Sequence, residues 1–182
     1  MTPEQGRELT RWARESIREA LGGPEAEPPF GEWCEKLGAT FVTLRARDGD
    51  LHGCVGSLEA RRKLITDVRG NAVAAALDDP RAPPLELAGV DDLGVEVSLL
   101  SPLERVAVKD EGDAIAKLAS LRGGVVLRFR ERRATFLPQM WERIPDPADF
   151  VSQLKRKAGM AEDFWDDDLE VWHYTVEKFG DR

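Results

Sequence analysis

No apolar run in these 182 residues reaches the roughly eighteen that a membrane-spanning helix needs. Cysteine is scarce. Cys34 and Cys54 are the only two and do not form a Cys-x-x-Cys pair, which argues against a disulfide framework and for a reducing compartment. Histidine is as rare: His52 and His173 would need carboxylates to complete a zinc site, and neither His-Glu-x-x-His nor paired cysteines occur, so no metal is expected. Net positive charge is missing too. A balance of −8 repels nucleic acid and anionic membranes. There is no complete catalytic triad, no cofactor-binding glycine loop, no internal repeat and no low-complexity segment, so no cofactor is expected. Met1 leads straight into Thr-Pro-Glu-Gln without a signal-peptide pattern, and the expectation is a cytoplasmic protein.

With 42% hydrophobic residues, the chain can bury an ordinary core as one domain over residues 1–182, compact or with two lobes. Thr2, Pro3 and Gln5 have the pattern of a capping box, and Leu9, Trp12, Ile17 and Ala20 keep near-helical spacing as far as Gly22-Gly23. Residues 39–46 read as a strand and Asp48-Gly49 as a hairpin turn, which puts Cys54 on the second strand of a hairpin. Ile65 to Ala76 repeat at helical intervals before Asp78-Asp79-Pro80. Strands follow over Val95 to Leu99 and, in short form, Val106 to Val108. A helix through Ile115, Leu118 and Leu121 should end at Gly123-Gly124. Val125, Leu127 and Phe129 alternate in a half-buried strand whose partner runs from Arg132 to Leu137; a helix begins at Asp146-Pro147, and Leu169 to Phe179 reads as one final strand. The irregular order of strands and helices predicts an α+β fold with a mostly antiparallel sheet flanked by helices.

The densest chemistry lies in Leu51-His52-Gly53-Cys54-Val55-Gly56-Ser57. In an extended strand His52 and Cys54 share a face, and a cationic neighbour favours a reactive thiolate. Gly53 and Gly56 would let a ligand approach the backbone, or take a positive φ that re-aims the cysteine. The same residues could equally surround a small apolar thiol in the core. Gly53-Cys54-Val55-Gly56 also has the form of a nucleic-acid clamp, but it follows a hairpin signal instead of joining two helices, and the net charge is wrong for it.

This heptapeptide resembles the Leu-Arg-Gly-Cys-Ile-Gly-Thr signature of the AMMECR domain family. Three further blocks strengthen the resemblance: Asn71 to Ala76 followed by Asp79-Pro80-Arg81-Ala82-Pro83-Pro84-Leu85, then Arg132 to Trp141, then Leu154 to Gly159. Leu169 to Val176 is similar to the family's terminal strand. The resemblance implies two unequal lobes with the signature at a groove, and partners in a Memo-type protein and a radical S-adenosylmethionine enzyme. His52 stands where the family has arginine, Val55 where it has isoleucine and Ser57 where it has threonine. A constant cation becomes one that titrates near neutrality.

Other candidates carry two readings each. Asn71 could bind a ligand or satisfy a backbone group beside the sheet. Arg133 and Thr135 alternate on one strand face, presenting a guanidinium and a hydroxyl to an anion or decorating an exposed edge. Gln139 and Trp141 line a pocket or pack a strand end. Lys155 and Lys157, beside Arg156, read as ligand-binding or as a solvated helix face. Asp163 to Asp168 lacks calcium-loop spacing and reads as an acidic surface turn. Two function classes follow. In one, Cys54 is a nucleophile or thiol ligand in a small-molecule or modification pathway, assisted by His52, with Gly53, Gly56, Ser57, Asn71, Arg133, Thr135, Gln139 and Lys155 around the ligand. In the other, a non-catalytic groove docks a partner protein.

Overall fold

The Thr2 hydroxyl accepts from the Gln5 backbone N–H at 3.2 Å while the Gln5 side chain accepts from the Thr2 N–H at 3.0 Å, and this reciprocal cap opens helix α1 (Pro3–Ala20). Leu9, Trp12 and Ile17 face the core, whereas Ala20 is exposed. The computed structural model describes residues 1–181, which divide into two compact units. The first comprises Met1–Leu100 and the segment from Glu177 onward; the second is Ser101–Val176. The chain is α+β with antiparallel ladders, as its pattern predicts.

In the first unit a short helix α2 (Glu32–Glu35) and a ribbon of β1 (Leu37–Gly38) with β4 (Arg62–Lys63) accompany the main hairpin. That hairpin joins β2 (Thr40–Arg45) to β3 (Leu51–Gly56) through a turn in which Gly49 has φ +91°, a region that suits glycine. With β5 (Gly94–Leu100) and β10 (Val176–Gly180) it forms a sheet in the order β10-β5-β2-β3, so β3 is an edge. Val42, Leu44, Val95 and Val97 meet α1 and α3 (Leu64–Leu77) on one face and build the core there.

The second unit pairs β6 (Glu104–Arg105), β9 (Glu170–Tyr174), β7 (Gly124–Phe129) and β8 (Arg132–Phe136) in that order. Helices α4 (Glu111–Leu121), α5 (Met140–Arg143) and α6 (Pro147–Lys157) accompany it. Trp141 stacks on Phe150 at 3.7 Å and donates to the Gly123 carbonyl at 2.9 Å, so it packs the strand end. Several local expectations change. The short strand lies at residues 104–105, just before Val106. Val126 is as buried as its neighbours Val125 and Leu127, in a strand paired on both edges. The left-handed residue ending α4 is Arg122, at φ +50°, and not a glycine; Gly124 instead has the Tyr174 ring where a Cβ would stand. The final run is not one strand: it breaks at Thr175, and its halves join different sheets.

Tyr174 is fully buried, with its hydroxyl 2.9 Å from Thr135 Oγ1. Burial pushes its pKa up to about 12 from the ordinary value of about 10. The folded state therefore retains a proton that the unfolded chain gives up, and stability present below pH ~10 is lost as pH rises through the folded value, by about 2–3 kcal/mol. Urea unfolding from pH 9 to 12 should show this loss and Tyr174→Phe should reduce it; an identical alkaline slope in the variant would assign the loss to other groups.

Candidate functional site

The hairpin places Cys54 directly opposite Thr43, whose hydroxyl donates to the Cys54 sulfur at 3.3 Å. A Cβ on Gly53 would lie 2.0 Å from the Ala75 carbonyl oxygen of α3, so the alternating Cys54 side chain points to the sheet face away from that helix. There it is half-buried, in contrast to the buried Cys34. Thr43, Arg45 and Glu96 share this face and line a cavity of about 380 Å³ whose wall also includes Arg47 and Gly94.

His52 does not sit beside the thiol as simple alternation predicts. Leu44 pairs with Gly53 and Arg45 with Leu51, so His52 is the extra residue of a bulge. Its Nε2 lies 3.5 Å from the Ala76 carbonyl, on the helix side. The nearby cation is Arg81, from the turn after α3. Its guanidinium donates to the Cys54 carbonyl at 3.1 Å and to both carboxylate oxygens of Asp79, at 2.8 and 2.5 Å. Asp79 in turn accepts from the Cys54 N–H at 2.8 Å. The pair thus engages the donor and acceptor that Cys54 presents on the outer edge of β3. The Arg81 guanidinium and the Cys54 N–H hold the Asp79 carboxyl well below the usual carboxylate range; Asp79, and after it Cys54, favours the charged form of Arg81. Asp79 is buried while the Arg81 side chain is 54% exposed, so the cation can reach solvent and ligands.

The remaining signature residues serve the fold. Gly53 admits the backbone of α3, and a Cβ on Gly56 would enter the Phe41 ring at 2.2 Å; neither glycine has a positive φ. The space they leave is filled by this chain. Ser57 and Asn71 belong to a network centred on the buried Asp67. Its carboxylate accepts from the Thr40 N–H (2.9 Å) and hydroxyl (2.8 Å), Asn71 Nδ2 (2.9 Å), the Ser57 hydroxyl (2.8 Å) and Arg62 (2.8 Å). Asn71 also donates to the Thr40 carbonyl at 2.9 Å, so it satisfies the backbone beside the sheet. It lies on the helix side, opposite the Cys54 side chain.

The other candidates are in the second unit. Thr135 donates to the Val125 carbonyl at 2.8 Å within its own ladder, Arg133 is half-buried opposite Arg128, and Gln139 is exposed just before α5. Lys155 is not on a solvated face: it is fully buried, with Nζ 2.6 Å from Glu111 and 3.2 Å from the Phe164 carbonyl. Lys157 donates to the Thr135 carbonyl at 2.9 Å. No group of metal-ligating side chains forms among the described residues, and no helix there is long and apolar enough to cross a membrane. Sequence reasoning missed Asp67, Asp79 and Arg81 as working residues. The Asp79-Pro80-Arg81 turn was visible, but nothing local to it indicates that its two charges close on Cys54.

Comparison with known proteins agrees with this architecture. A crystal structure of an uncharacterised protein from Pyrococcus horikoshii superposes with a TM-score of 0.85 at 32% identity, covering 98% of this chain and 92% of that one. A Thermotoga maritima protein is 38% identical over 157 residues, 86% of this chain and 84% of its own length. One from Methanopyrus kandleri is 32% identical across 100% of this chain and 91% of its own. The AMMECR1 family model matches residues 10–179, and with nearly the whole length covered the chain belongs to the AMMECR1 family.

Proposed function

We propose that this protein is a component of a small-molecule or modification pathway in which the sheet face that carries Cys54 in the first unit receives an anionic ligand beside the thiol. The observation that carries the reading is the grouping of a half-buried sulfur, the Thr43 hydroxyl bonded to it and the exposed Arg81 cation, next to a cavity that Thr43 also lines. Cys54 supplies the nucleophile or thiol ligand and Arg81 the charge that attracts an anion. Family resemblance supports action with a Memo-type protein and a radical S-adenosylmethionine enzyme.

Thiol labelling tests the chemistry. Burial, with Glu8 and Glu35 adding to it, pushes the Cys34 thiol up. Cys54 should therefore react with iodoacetamide on the order of tenfold faster than Cys34 near neutral pH. Arg81→Gln should slow Cys54, whereas His52→Ala should leave it nearly unchanged. Equal slow labelling of both thiols would remove the chemical role. A docking module is the second reading, favoured by the internal contacts of Gly53, Gly56, Ser57 and Asn71. Cys54→Ser that keeps full pathway output together with partner binding would select it.

A further inference from the structure

We propose that the second unit carries a separate, preformed site for a small zwitterion with an apolar body, of the amino-acid or dipeptide type. It lies between residues 106–109, which leave β6, and the acidic turn at 165–169. The cavity there measures about 550 Å³, within the range of roughly 300–1,000 Å³ typical of small-molecule sites. Its floor is apolar, formed by the buried Leu169 and Val171, and Val106, Val108 and Trp165 continue that surface up the sides.

Both walls are anchored without help from a ligand. On one side Val106 N–H donates to the Val171 carbonyl at 2.8 Å, Lys117 holds the Ala107 carbonyl at 2.7 Å, and Lys109 N–H donates to Asp113 at 3.0 Å. On the other, buried Lys155 grips the Phe164 carbonyl, Leu169 N–H donates to the Asp166 carbonyl at 3.0 Å, and the Phe164 ring packs edge-on against Phe129 at 4.9 Å. The gap between them is therefore a fixed feature of the fold, which lowers the ordering cost of binding.

Charge selects the ligand. Arg105 and Lys109 stand on the first wall and Asp166 and Asp167 on the second, and among the described residues no ion pair joins the two walls. Arg105 meets Glu170 only at 3.9 Å, an exposed pair of small worth. Lys109 neighbours Asp113, which Lys117 already engages at 2.8 Å. Asp166 accepts from the Asp168 N–H at 2.9 Å, and Asp167 has no partner among the described residues. A ligand of one charge sign would be repelled by one wall. A ligand with a carboxylate at one end, an ammonium at the other and an apolar group between them complements all three surfaces.

The test is titration of the full chain with L-phenylalanine and leucyl-phenylalanine, following the Trp165 indole N–H by NMR with Trp165→Phe to assign the signal. A saturable shift is expected, weakened about tenfold by either Lys109→Gln or Asp167→Asn. Both residues are exposed, so the fold should persist in each variant. Cys54→Ser should leave the affinity unchanged, because the site does not depend on the thiol. Absence of a saturable shift at millimolar ligand would overturn the proposal. So would equal binding of N-acetylphenylalanine amide, which lacks both charges, or of phenylacetate, which lacks the ammonium.

Discussion

Replacing Asp67 with alanine is expected to destabilise the protein by about 3–5 kcal/mol, the cost of removing one partner from a buried, charged hydrogen-bond network. In a chain of this size that corresponds to a fall of roughly 10 °C in thermal midpoint. The loss is large because the carboxylate serves two strands and a helix at once: the Thr40 N–H and hydroxyl from β2, Ser57 just beyond β3, and Asn71 one turn further along α3. Without it the Thr40 and Asn71 donors stay buried with fewer acceptors. Arg62→Ala is the informative control: it leaves the buried carboxylate without its cation but keeps the donors from Thr40, Ser57 and Asn71, so the difference between the two variants separates charge compensation from those hydrogen bonds. Equal midpoints for Asp67→Ala and the parent would show that the network contributes nothing to stability.

Gly53→Ala should cost about 3 kcal/mol, the upper part of the range for overpacking a rigid interior. The added methyl would stand 2.0 Å from the Ala75 carbonyl oxygen, and main chain cannot rotate away as a side chain can. The same methyl would press on Asp79 Cβ at 3.3 Å, disturbing the carboxylate that binds the Cys54 N–H. Gly49→Ala separates this effect from simple loss of a glycine. At Gly49 nothing lies within 4 Å and the cost is conformational, about 1–2 kcal/mol for a left-handed residue. Chemical denaturation of both variants measures the difference. A Gly53→Ala protein as stable as the parent would mean that α3 can shift outward, and would return this glycine to the role of admitting a ligand.

These two residues also mark how far the sequence can be read. The capping box at Thr2 and Gln5, the hairpin at Gly49 and the proline-bounded end of α3 were legible because each is a local backbone device with its own side-chain chemistry. Asp67 was not. It sits among polar and apolar residues in a helix with an ordinary pattern, and its partners Thr40 and Ser57 are brought to it by the sheet. Lys155 misled for the opposite reason: in Lys-Arg-Lys it looks like a solvated face, yet the first of the three turns inward to Glu111 and Phe164. The alternation that aligned His52 with Cys54 failed at a bulge, a one-residue register change that carries no signal in composition. The position of Cys54 on the second strand of the hairpin was legible, whereas the expected neighbour His52 lies on the helix side and Arg81 stands by Cys54 instead. Arg81 reaches Cys54 from another element, and only the packing of α3 on β3 brings the two together.

The division of the last extended run between β9 and β10 has a consequence for how the chain is made. β10 lies beside β5 and brings Asp181 to Arg14 at 2.6 Å, Lys178 to Glu96 at 3.3 Å and the Phe179 ring to Gly6. A ribosome releases all of the second unit before it delivers that strand. Throughout this interval β5 has a vacant outer edge, the Gly6 hollow in α1 is unfilled, and Arg14 waits for its carboxylate. The first part of the protein to emerge is thus among the last to be completed, and its protection from premature pairing during translation depends on how quickly residues 176–181 arrive.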